Sequence, residues 1–318
     1  MLKRFCSVAD APDVNHLIDK ALEYKYNPFS DELLGKRKTI GLVFFNPSLR
    51  TRLSTQKAAR NLGMDIMVIN AGTENWSIEF GDGAIMSGAT VEHVREGAAV
   101  LGEYCDIIAV RAFAGLTDRE KDYREEIISK IERFSGRPII SLESATRHPL
   151  QSLADMVTIR EIMGKHRPRI VLTWAPHPKA LPQAVANSFL EWAEMYGADI
   201  TISHPEGYEL SEEFTRGITV EYQQEKAFEN ADIIYAKNWS SYHNYGATPP
   251  VEQNWIITQK KLQITNNAAL LHCLPTRRNV EIADDALDGN NAKIIQQAGN
   301  RVWAAQAVIS EILSGIMQ

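Results

Sequence analysis

The chain has 318 residues, enough for two domains of ordinary size, and it carries a net charge of −6 at pH 7. With 23% charged residues and no excess of basic ones, it lacks the basic face that binding to nucleic acid requires. It contains no run of 18 apolar residues and no apolar N-terminal segment, so neither a membrane span nor an export signal is predicted.

Cysteine use indicates the compartment. Cys6, Cys105 and Cys273 are an odd number, and their spacing is not that of a metal site. We therefore expect a reduced, cytoplasmic protein with no disulfide framework, no metal and no cofactor.

Short β-rich runs alternate with helical patterns along the chain. Eight strands are predicted at residues 40–45, 65–70, 107–110, 138–141, 170–173, 199–203, 233–236 and 270–272. This alternation is typical of βαβ units with parallel sheets. The two groups of four predict an α/β protein with two domains, each a mostly parallel sheet flanked by helices. The division falls inside a helix predicted at 149–163.

The first strand is followed by the sequence SLRTR and a helical pattern over 52–61, with Leu53 on its apolar side. Ser48 and Thr51 therefore stand at a helix N-terminus, where unpaired N–H groups and the helix dipole attract an anion. Arg50 adds a guanidinium suited to phosphate. GxGxxG and Walker patterns are absent, so a small phosphate compound is predicted. The alternative is a helix cap at Ser48 beside solvated arginines.

Two long segments, 70–87 and 238–254, are predicted to be exposed loops. Trp76 lies in the first of them. An exposed tryptophan indicates an interface or a ligand, and packing against its own domain is the alternative. The last element is a helix predicted over 300–317, where Arg301 is either a cap or a phosphate ligand.

The motifs also resemble those of a known family. SLRTR is similar to the carbamoyl-phosphate motif of the transcarbamylases. Arg111 stands where that family has another arginine, residues 148–151 (HPLQ) match its HPxQ motif, and residues 272–275 match HCLP. The resemblance spans nearly the whole chain. It implies the transcarbamylase fold, with carbamoyl phosphate bound by residues 1–148 plus 299–318, and a homotrimer with shared active sites.

The resemblance also implies roles for individual residues. It places these residues around carbamoyl phosphate: Ser48, Leu49, Arg50, Thr51, Trp76, Arg111, His148, Gln151, Cys273, Leu274 and Arg301. Six of them are predicted to be catalytic: Arg50, Thr51, Arg111, His148, Gln151 and Cys273. The first four stabilise charge on the phosphate or the carbonyl oxygen, whereas Gln151 and backbone oxygens near Cys273 hold the carbamoyl amide. The alternatives are a locally bonded His148 and an inert, buried Cys273, because direct attack by an amine needs no covalent intermediate.

The second substrate is indicated by a different set of residues. The DxxxSMG loop of ornithine transcarbamylases is missing, and KNW follows the seventh strand instead. With Glu143, His177, Lys237 and Arg277, this resembles the N-acylornithine branch, which serves arginine synthesis. The resemblance implies an acylornithine domain over 149–298, with those four side chains around the acceptor. An aspartate or putrescine carbamoyltransferase is the next alternative, and a non-catalytic phosphate-binding regulator is another.

The acyl group is predicted from one position. As we align it, Val91 stands where acetyl-specific members have Glu and succinyl-specific members have Pro. An apolar residue there does not repel a succinyl carboxylate, so N-succinyl-L-ornithine is predicted and N-acetyl-L-ornithine is the alternative. The adjacent Glu92 would reverse this choice if the alignment shifted by one residue.

Overall fold

The computed structural model describes residues 2–72, 76–248 and 253–316. The chain forms two compact units. The first comprises Met1–Gly115, Glu120–Leu150 and Arg301–Gln318, and the second comprises Leu116–Arg119 and Gln151–Asn300. In the described part, no helix is long and apolar enough to cross a membrane.

The two units contain strands and helices in regular alternation. The strands are β1 (Arg4–Phe5), β2 (Thr39–Phe44), β3 (Asp65–Asn70), β4 (Ile78–Glu79), β5 (Glu92–His93), β6 (Ile107–Arg111), β7 (Ile139–Glu143), β8 (Arg169–Trp174), β9 (Asp199–Ser203), β10 (Thr219–Glu221), β11 (Ile233–Lys237) and β12 (Ala269–Leu271). The helices are α1 (Val14–Tyr26), α2 (Leu49–Asn61), α3 (Val94–Tyr104), α4 (Arg119–Tyr123), α5 (Glu126–Ser135), α6 (Pro149–Met163), α7 (Ala184–Tyr196), α8 (Glu212–Thr215), α9 (Gln224–Phe228), α10 (Gln259–Leu262), α11 (Asp284–Leu287) and α12 (Ile294–Ile316). Short 3₁₀ helices lie at Val8–Asp10 and Gln253–Trp255.

The first unit is built on a five-stranded parallel sheet with the order β1-β7-β6-β2-β3. Its core shows why these segments form these elements. Val94, Ala98 and Leu101 are spaced at helical intervals along α3, and they pack with Ile108 and Val110, alternate residues of β6. A helix stripe and one sheet face thus bury each other.

The second unit repeats this plan with the order β10-β9-β8-β11-β12, again fully parallel. Its central strands read as continuous apolar runs because both sheet faces are covered, and every residue of β11 is buried. In both units, the carboxyl ends of the strands lie at one edge of the sheet. Ligands of open α/β sheets bind at this edge.

The predicted elements are confirmed with shifted boundaries. Each of the eight predicted strands overlaps an observed one, and α6 occupies the predicted residues. Helix α2 begins at Leu49, before the predicted start, because Ser48 already caps it. Helix α12 begins at Ile294, and the predicted end at residue 317 lies outside the described residues. The short edge strands β1 and β10 were not predicted, since two or three residues give no pattern.

Three burial predictions were wrong. Leu53 is 57% exposed and does not lie on the apolar side of α2. Trp76 is half-buried against the first unit's core, which favours packing over exposure. The segment predicted as an exposed loop from residue 238 is buried over 238–241, with Trp239 fully enclosed. Part of that segment, 249–252, lies outside the described residues.

Candidate active site

The N-terminus of α2 follows β2 at the carboxyl edge of the first sheet. The Ser48 hydroxyl oxygen accepts a hydrogen bond from the Thr51 backbone N–H at 3.3 Å, so the predicted cap is present. Arg50 is half-buried in the first turn, and Leu49 is 68% exposed. The first turn of α2 therefore places the SLRTR residues where backbone N–H groups favour an anion.

Arg111 and Glu143 meet because they are partners in the register of two neighbouring strands. Each is the last residue of its strand, β6 or β7. Arg111 Nη1 lies 2.5 Å from Glu143 Oε2, and both side chains are less than a tenth exposed. The sequence placed Glu143 beside the acceptor, whereas the structure pairs it with Arg111.

Thr51 links the Arg111–Glu143 pair to Arg301 on α12. Its hydroxyl oxygen accepts hydrogen bonds from Arg301 Nη2 at 2.5 Å and from Arg111 Nη1 at 3.4 Å. We call Thr51, Arg111, Glu143, His148 and Arg301 the first-unit cluster. This buried cluster contains two guanidinium groups and one carboxylate, so it carries a net positive charge next to a helix N-terminus. Such a site attracts an anion.

His148 completes the first-unit cluster. Its Nε2 lies 3.4 Å from Glu143 Oε2, and burial, with Arg301 and Arg111 nearby, holds its pKa well below the usual value. The ring is therefore neutral at pH 7. Within the described residues, His148 Nδ1 and Arg111 Nε are buried without a hydrogen-bond partner. Unsatisfied polar atoms cost about 1–3 kcal/mol each, which a polar ligand would offset.

Glu125 was missed by the sequence analysis, although it holds the turn before His148. This residue has a left-handed backbone, with φ 51°, just before α5. Its carboxylate accepts hydrogen bonds from Ser144 Oγ at 2.6 Å and from the Thr146 N–H at 2.8 Å, and also from the Thr146 hydroxyl. A glutamate in an ordinary helical pattern gives no signal of such a contact.

The second unit contains a separate cluster at the ends of its own strands. Arg277 Nε donates to His177 Nε2 at 3.1 Å, although a hundred residues separate the two in sequence. His177 Nδ1 lies 2.9 Å from the Lys179 carbonyl oxygen. Burial, together with the Lys237 and Arg277 charges, lowers the pKa of His177. A neutral ring that donates through Nδ1 and accepts through Nε2 fits both contacts.

A buried glutamate balances these cations, and the motifs did not indicate it. Glu281 is 1% exposed. Its Oε2 accepts a hydrogen bond from the Arg277 backbone N–H at 2.7 Å, and its Oε1 lies 3.5 Å from His272 Nε2. Burial raises its pKa, but His272, Lys237 and the Arg277 N–H outweigh burial, so its pKa is lowered. We call His177, Lys237, His272, Arg277 and Glu281 the second-unit cluster.

The structure distinguishes the two arginines that follow HCLP. Arg278 forms ion pairs with Asp284 and Asp288 at 2.8 and 2.6 Å. Its charge is therefore already balanced on the surface. Arg277 instead reaches the ring of His177. Lys237, the last residue of β11, is buried and donates to the Asn238 carbonyl oxygen at 2.8 Å. Arg277 and Lys237 are thus the cations best placed to bind a carboxylate.

Three predicted site residues remain in the second unit. Gln151 Nε2 donates to Asp155 Oδ1 at 2.8 Å on the same helix. Cys273 is buried and forms no disulfide bond. Leu274 has a left-handed backbone, with φ 58°, and precedes a cis peptide bond to Pro275.

Trp76 and Val91 lie in the segment between β3 and α3. Trp76 Nε1 donates to Glu92 Oε2 at 2.5 Å, so Glu92 is held by its own unit. Val91 is 61% exposed. The alignment left open whether Val91 or Glu92 faces the acyl group. Val91 presents its side chain to solvent, whereas the Glu92 carboxylate is held by Trp76.

Metal ligands are not grouped in the described residues, where no set of three or more His, Cys, Asp and Glu side chains could hold an ion. Comparison with known proteins identifies the family. The carbamoyl-P binding domain of aspartate/ornithine carbamoyltransferases matches residues 3–161, and their Asp/Orn binding domain matches residues 182–312.

The chain belongs to the aspartate/ornithine carbamoyltransferase family. Among relatives in this family, N-succinylornithine carbamoyltransferase of Bacteroides thetaiotaomicron is 47% identical over 317 residues, which are 99% of this chain and 100% of the relative. N-acetylornithine carbamoyltransferase of Xylella fastidiosa (strain Temecula1) is 37% identical, with 98% of this chain and 99% of the relative covered. The predicted resemblance to the N-acylornithine branch is confirmed.

Solved structures of this branch have the same fold. A mutant of N-acetyl-L-ornithine transcarbamylase, complexed with carbamyl phosphate and N-succinyl-L-norvaline, superposes with a TM-score of 0.93 at 36% identity. The match covers 98% of this chain and 100% of that one. Acetylornithine transcarbamylase complexed with acetylcitrulline gives the same score and identity, with 98% and 99% covered. The predicted fold of two parallel-sheet domains is confirmed.

Proposed function

We propose that this protein transfers the carbamoyl group from carbamoyl phosphate to the δ-amine of N-succinyl-L-ornithine, as one step of arginine biosynthesis. The products are N-succinyl-L-citrulline and phosphate. The observation that carries the proposal is the first-unit cluster, in which Arg111, Arg301 and neutral His148 converge beside the N-terminus of α2. The 47% identity to N-succinylornithine carbamoyltransferase supports the choice of acceptor.

Carbamoyl phosphate needs donors at both of its ends. The α2 N-terminus, with Ser48, Arg50 and Thr51, and the guanidinium groups of Arg111 and Arg301 bind the phosphate. Thr51, Arg111 and His148 face the carbonyl oxygen, on which negative charge develops during attack. Donors fixed before the reaction stabilise this charge without reorganisation. Leu49, Trp76 and the backbone at Cys273 and Leu274 complete the proposed site.

The transfer itself is a direct displacement. The δ-amine attacks the carbamoyl carbon, a C–N bond forms, and the C–O bond to the phosphate breaks with its electron pair on the leaving oxygen. The amine proton passes to the departing phosphate, which is a sufficient base. In this scheme Cys273 forms no covalent bond, and the protein contributes orientation and charge stabilisation.

The acceptor is bound by the second-unit cluster. Arg277 and Lys237 supply positive charge for the carboxylates, and neutral His177 fixes the Arg277 guanidinium. Glu143 is proposed to face the acceptor from the first unit. Exposed Val91 presents no charge to the acyl chain, whereas a glutamate there would repel succinate.

We further propose a cytoplasmic homotrimer with shared active sites, in which Trp76 and Val91 approach the site of a neighbouring subunit. Large apolar side chains lie exposed in the segments that would be buried on assembly: Leu49, Leu53, Ile85, Met86 and Val91. Exposed apolar groups in such number are typical of an interface. Sedimentation equilibrium should give three times the mass of the 35.7 kDa chain.

The deciding experiment offers the purified protein carbamoyl phosphate with N-succinyl-L-ornithine, N-acetyl-L-ornithine or L-ornithine and measures ureido product. We expect product chiefly from the succinyl compound. Product chiefly from the acetyl compound would refute the argument from Val91. Calorimetric binding of carbamoyl phosphate without product from any amine would instead favour a non-catalytic binding protein.

A further inference from the structure

A buried hydrogen-bond chain in the second unit links the HPLQ motif to the HCLP motif. It begins at the backbone N–H of His272, which donates to Gln297 Oε1 at 2.9 Å. Gln297 Nε2 donates to Asp155 Oδ1 at 2.7 Å, and Gln151 Nε2 donates to the same oxygen at 2.8 Å. Gln151, Asp155 and Gln297 are all 0% exposed.

The donor and acceptor roles along this series of hydrogen bonds are fixed, because the series starts at a backbone N–H donor. An N–H group cannot accept a hydrogen bond, so the amide oxygen of Gln297 must face His272 and its NH₂ group must face Asp155. Asp155 Oδ1 is therefore an acceptor. The side-chain amide of Gln151 must then turn its NH₂ group toward the same oxygen, since its own oxygen would be repelled there.

The orientation of Gln151 matters for the proposed reaction. With Nε2 committed to Asp155, the other end of the amide is the acceptor Oε1. The carbamoyl group of the substrate carries an NH₂ group, which needs an acceptor. A flipped Gln151 would present a donor to this NH₂ group, and two donors facing each other lose a hydrogen bond.

We infer that Asp155 is a positioning residue for carbamoyl transfer, which fixes the side-chain amide of Gln151 so that its oxygen accepts a hydrogen bond from the carbamoyl NH₂ group when the substrate binds. Asp155 does not touch the substrate in this scheme. Through Gln297 it also holds the backbone at His272, immediately before Cys273. The inference rests on the proposed function, because it assigns Asp155 a part in binding carbamoyl phosphate.

The groups around Asp155 leave it as the acceptor in this network. The phenol of Tyr235 on β11 lies near the carboxyl group of Asp155 and the thiol of Cys273. Burial, with Asp155 and Cys273 nearby, holds the pKa of Tyr235 well above its usual value, so this phenol stays neutral.

A double-mutant cycle tests the inference. Asp155→Leu, Gln151→Ala and the double variant are compared with the wild type by kcat/KM for carbamoyl phosphate. If Asp155 acts through Gln151, Asp155→Leu should lower kcat/KM about 30-fold when Gln151 is present and less than about 3-fold in the Gln151→Ala background. Equal factors in both backgrounds would overturn the inference, because a merely structural role lowers activity independently of Gln151.

A second variant leaves Asp155 in place and so avoids the risk that its replacement prevents folding. Gln151→Glu puts a carboxylate against Asp155, and the pair must share a proton to form a hydrogen bond. The ratio of variant to wild-type kcat/KM should rise, by up to about tenfold per pH unit, as the pH is lowered from about 9 to about 6. A ratio that does not change with pH would contradict the contact.

The wild-type assay separates this inference from the proposed function. If the wild type makes ureido product and the cycle is additive, only the role of Asp155 fails. If the wild type makes no product from any of the three amines, the proposed function fails, and the role of Asp155 fails with it.

Discussion

The two clusters carry similar charge but are assembled differently. The first-unit cluster contains the guanidinium groups of Arg111 and Arg301 and the carboxylate of Glu143, and every member is less than a tenth exposed. The second-unit cluster contains Lys237, Arg277 and Glu281, and Arg277 is exposed. The enclosed cluster suits a small ligand with all its donors fixed. The partly open one suits a longer acceptor that must enter and leave.

In the first-unit cluster, local secondary structure contributes to the stabilisation of a bound anion. Its proposed anion site combines the N-terminus of α2 with Arg111 at the end of β6 and Arg301 on α12, so much of its charge stabilisation is built into the fold. The second-unit cluster contains one buried carboxylate, Glu281, which accepts a hydrogen bond from the Arg277 backbone N–H and lies beside His272. Perturbing each cluster should therefore have different effects on activity and stability.

The largest expected effect is on activity, in the first unit. Arg50→Ala removes the guanidinium in the first turn of α2 and should lower kcat about 10³-fold, because charge on the phosphate loses a fixed donor. Steady-state kinetics at saturating carbamoyl phosphate measure this. Arg60→Ala, at the exposed end of the same helix, is the matched control and should be nearly normal. Near-normal activity of Arg50→Ala would refute the phosphate site.

The next effect is on stability, in the second unit. Glu281→Gln should lower the free energy of unfolding by about 3 kcal/mol at pH 7, since it leaves the buried Lys237 without a nearby carboxylate. Thermal melts of both proteins measure the loss. Glu206→Gln, an exposed position of the same unit, should melt like the wild type.

The pH dependence of that loss follows from the lowered pKa of Glu281. A carboxylate with a lowered native pKa stabilises the fold above the ordinary glutamate value of about 4.3. The stabilisation disappears as the pH falls through the native pKa. The melting difference between wild type and Glu281→Gln should therefore be full at pH 7 and shrink below about pH 4. A difference that grows toward acid pH would contradict this assignment.

A smaller loss of stability is expected from a change at Glu125, which holds the turn before His148. Glu125→Ala removes the acceptor for Ser144 and Thr146 and should lower the free energy of unfolding by about 2 kcal/mol. It should also weaken carbamoyl phosphate binding, since the turn leads to His148. Urea titration and calorimetry measure the two effects. Glu126→Ala, which breaks only an i,i+4 pair with Lys130, should change both less.

The smallest effect is expected on the preference between the succinyl and acetyl acceptors. Val91→Glu should lower kcat/KM for N-succinyl-L-ornithine about tenfold relative to N-acetyl-L-ornithine, because a carboxylate then faces the succinyl carboxylate. Val91→Gln has nearly the same shape without the charge and should keep the wild-type preference. If both variants shift the preference equally, volume and not charge determines acyl choice at this position.

The sequence determined the features that neighbouring residues encode. The alternation of strands and helices and the parallel sheets follow from local periodicity, and the anion site proposed at SLRTR follows from a contiguous motif. Arg111 and His148 were predicted from the resemblance of their motifs to those of the transcarbamylases. The roles proposed for these residues remain predictions until the variants are assayed.

Only the tertiary structure decided which side chains meet. The pairing of Arg111 with Glu143 depends on strand register, and that of Arg277 with His177 spans a hundred residues. Glu125, Asp155 and Glu281 were missed for the same reason. Each is an acidic residue within an unremarkable stretch, and its importance comes from burial next to donors on distant segments, which no local pattern contains.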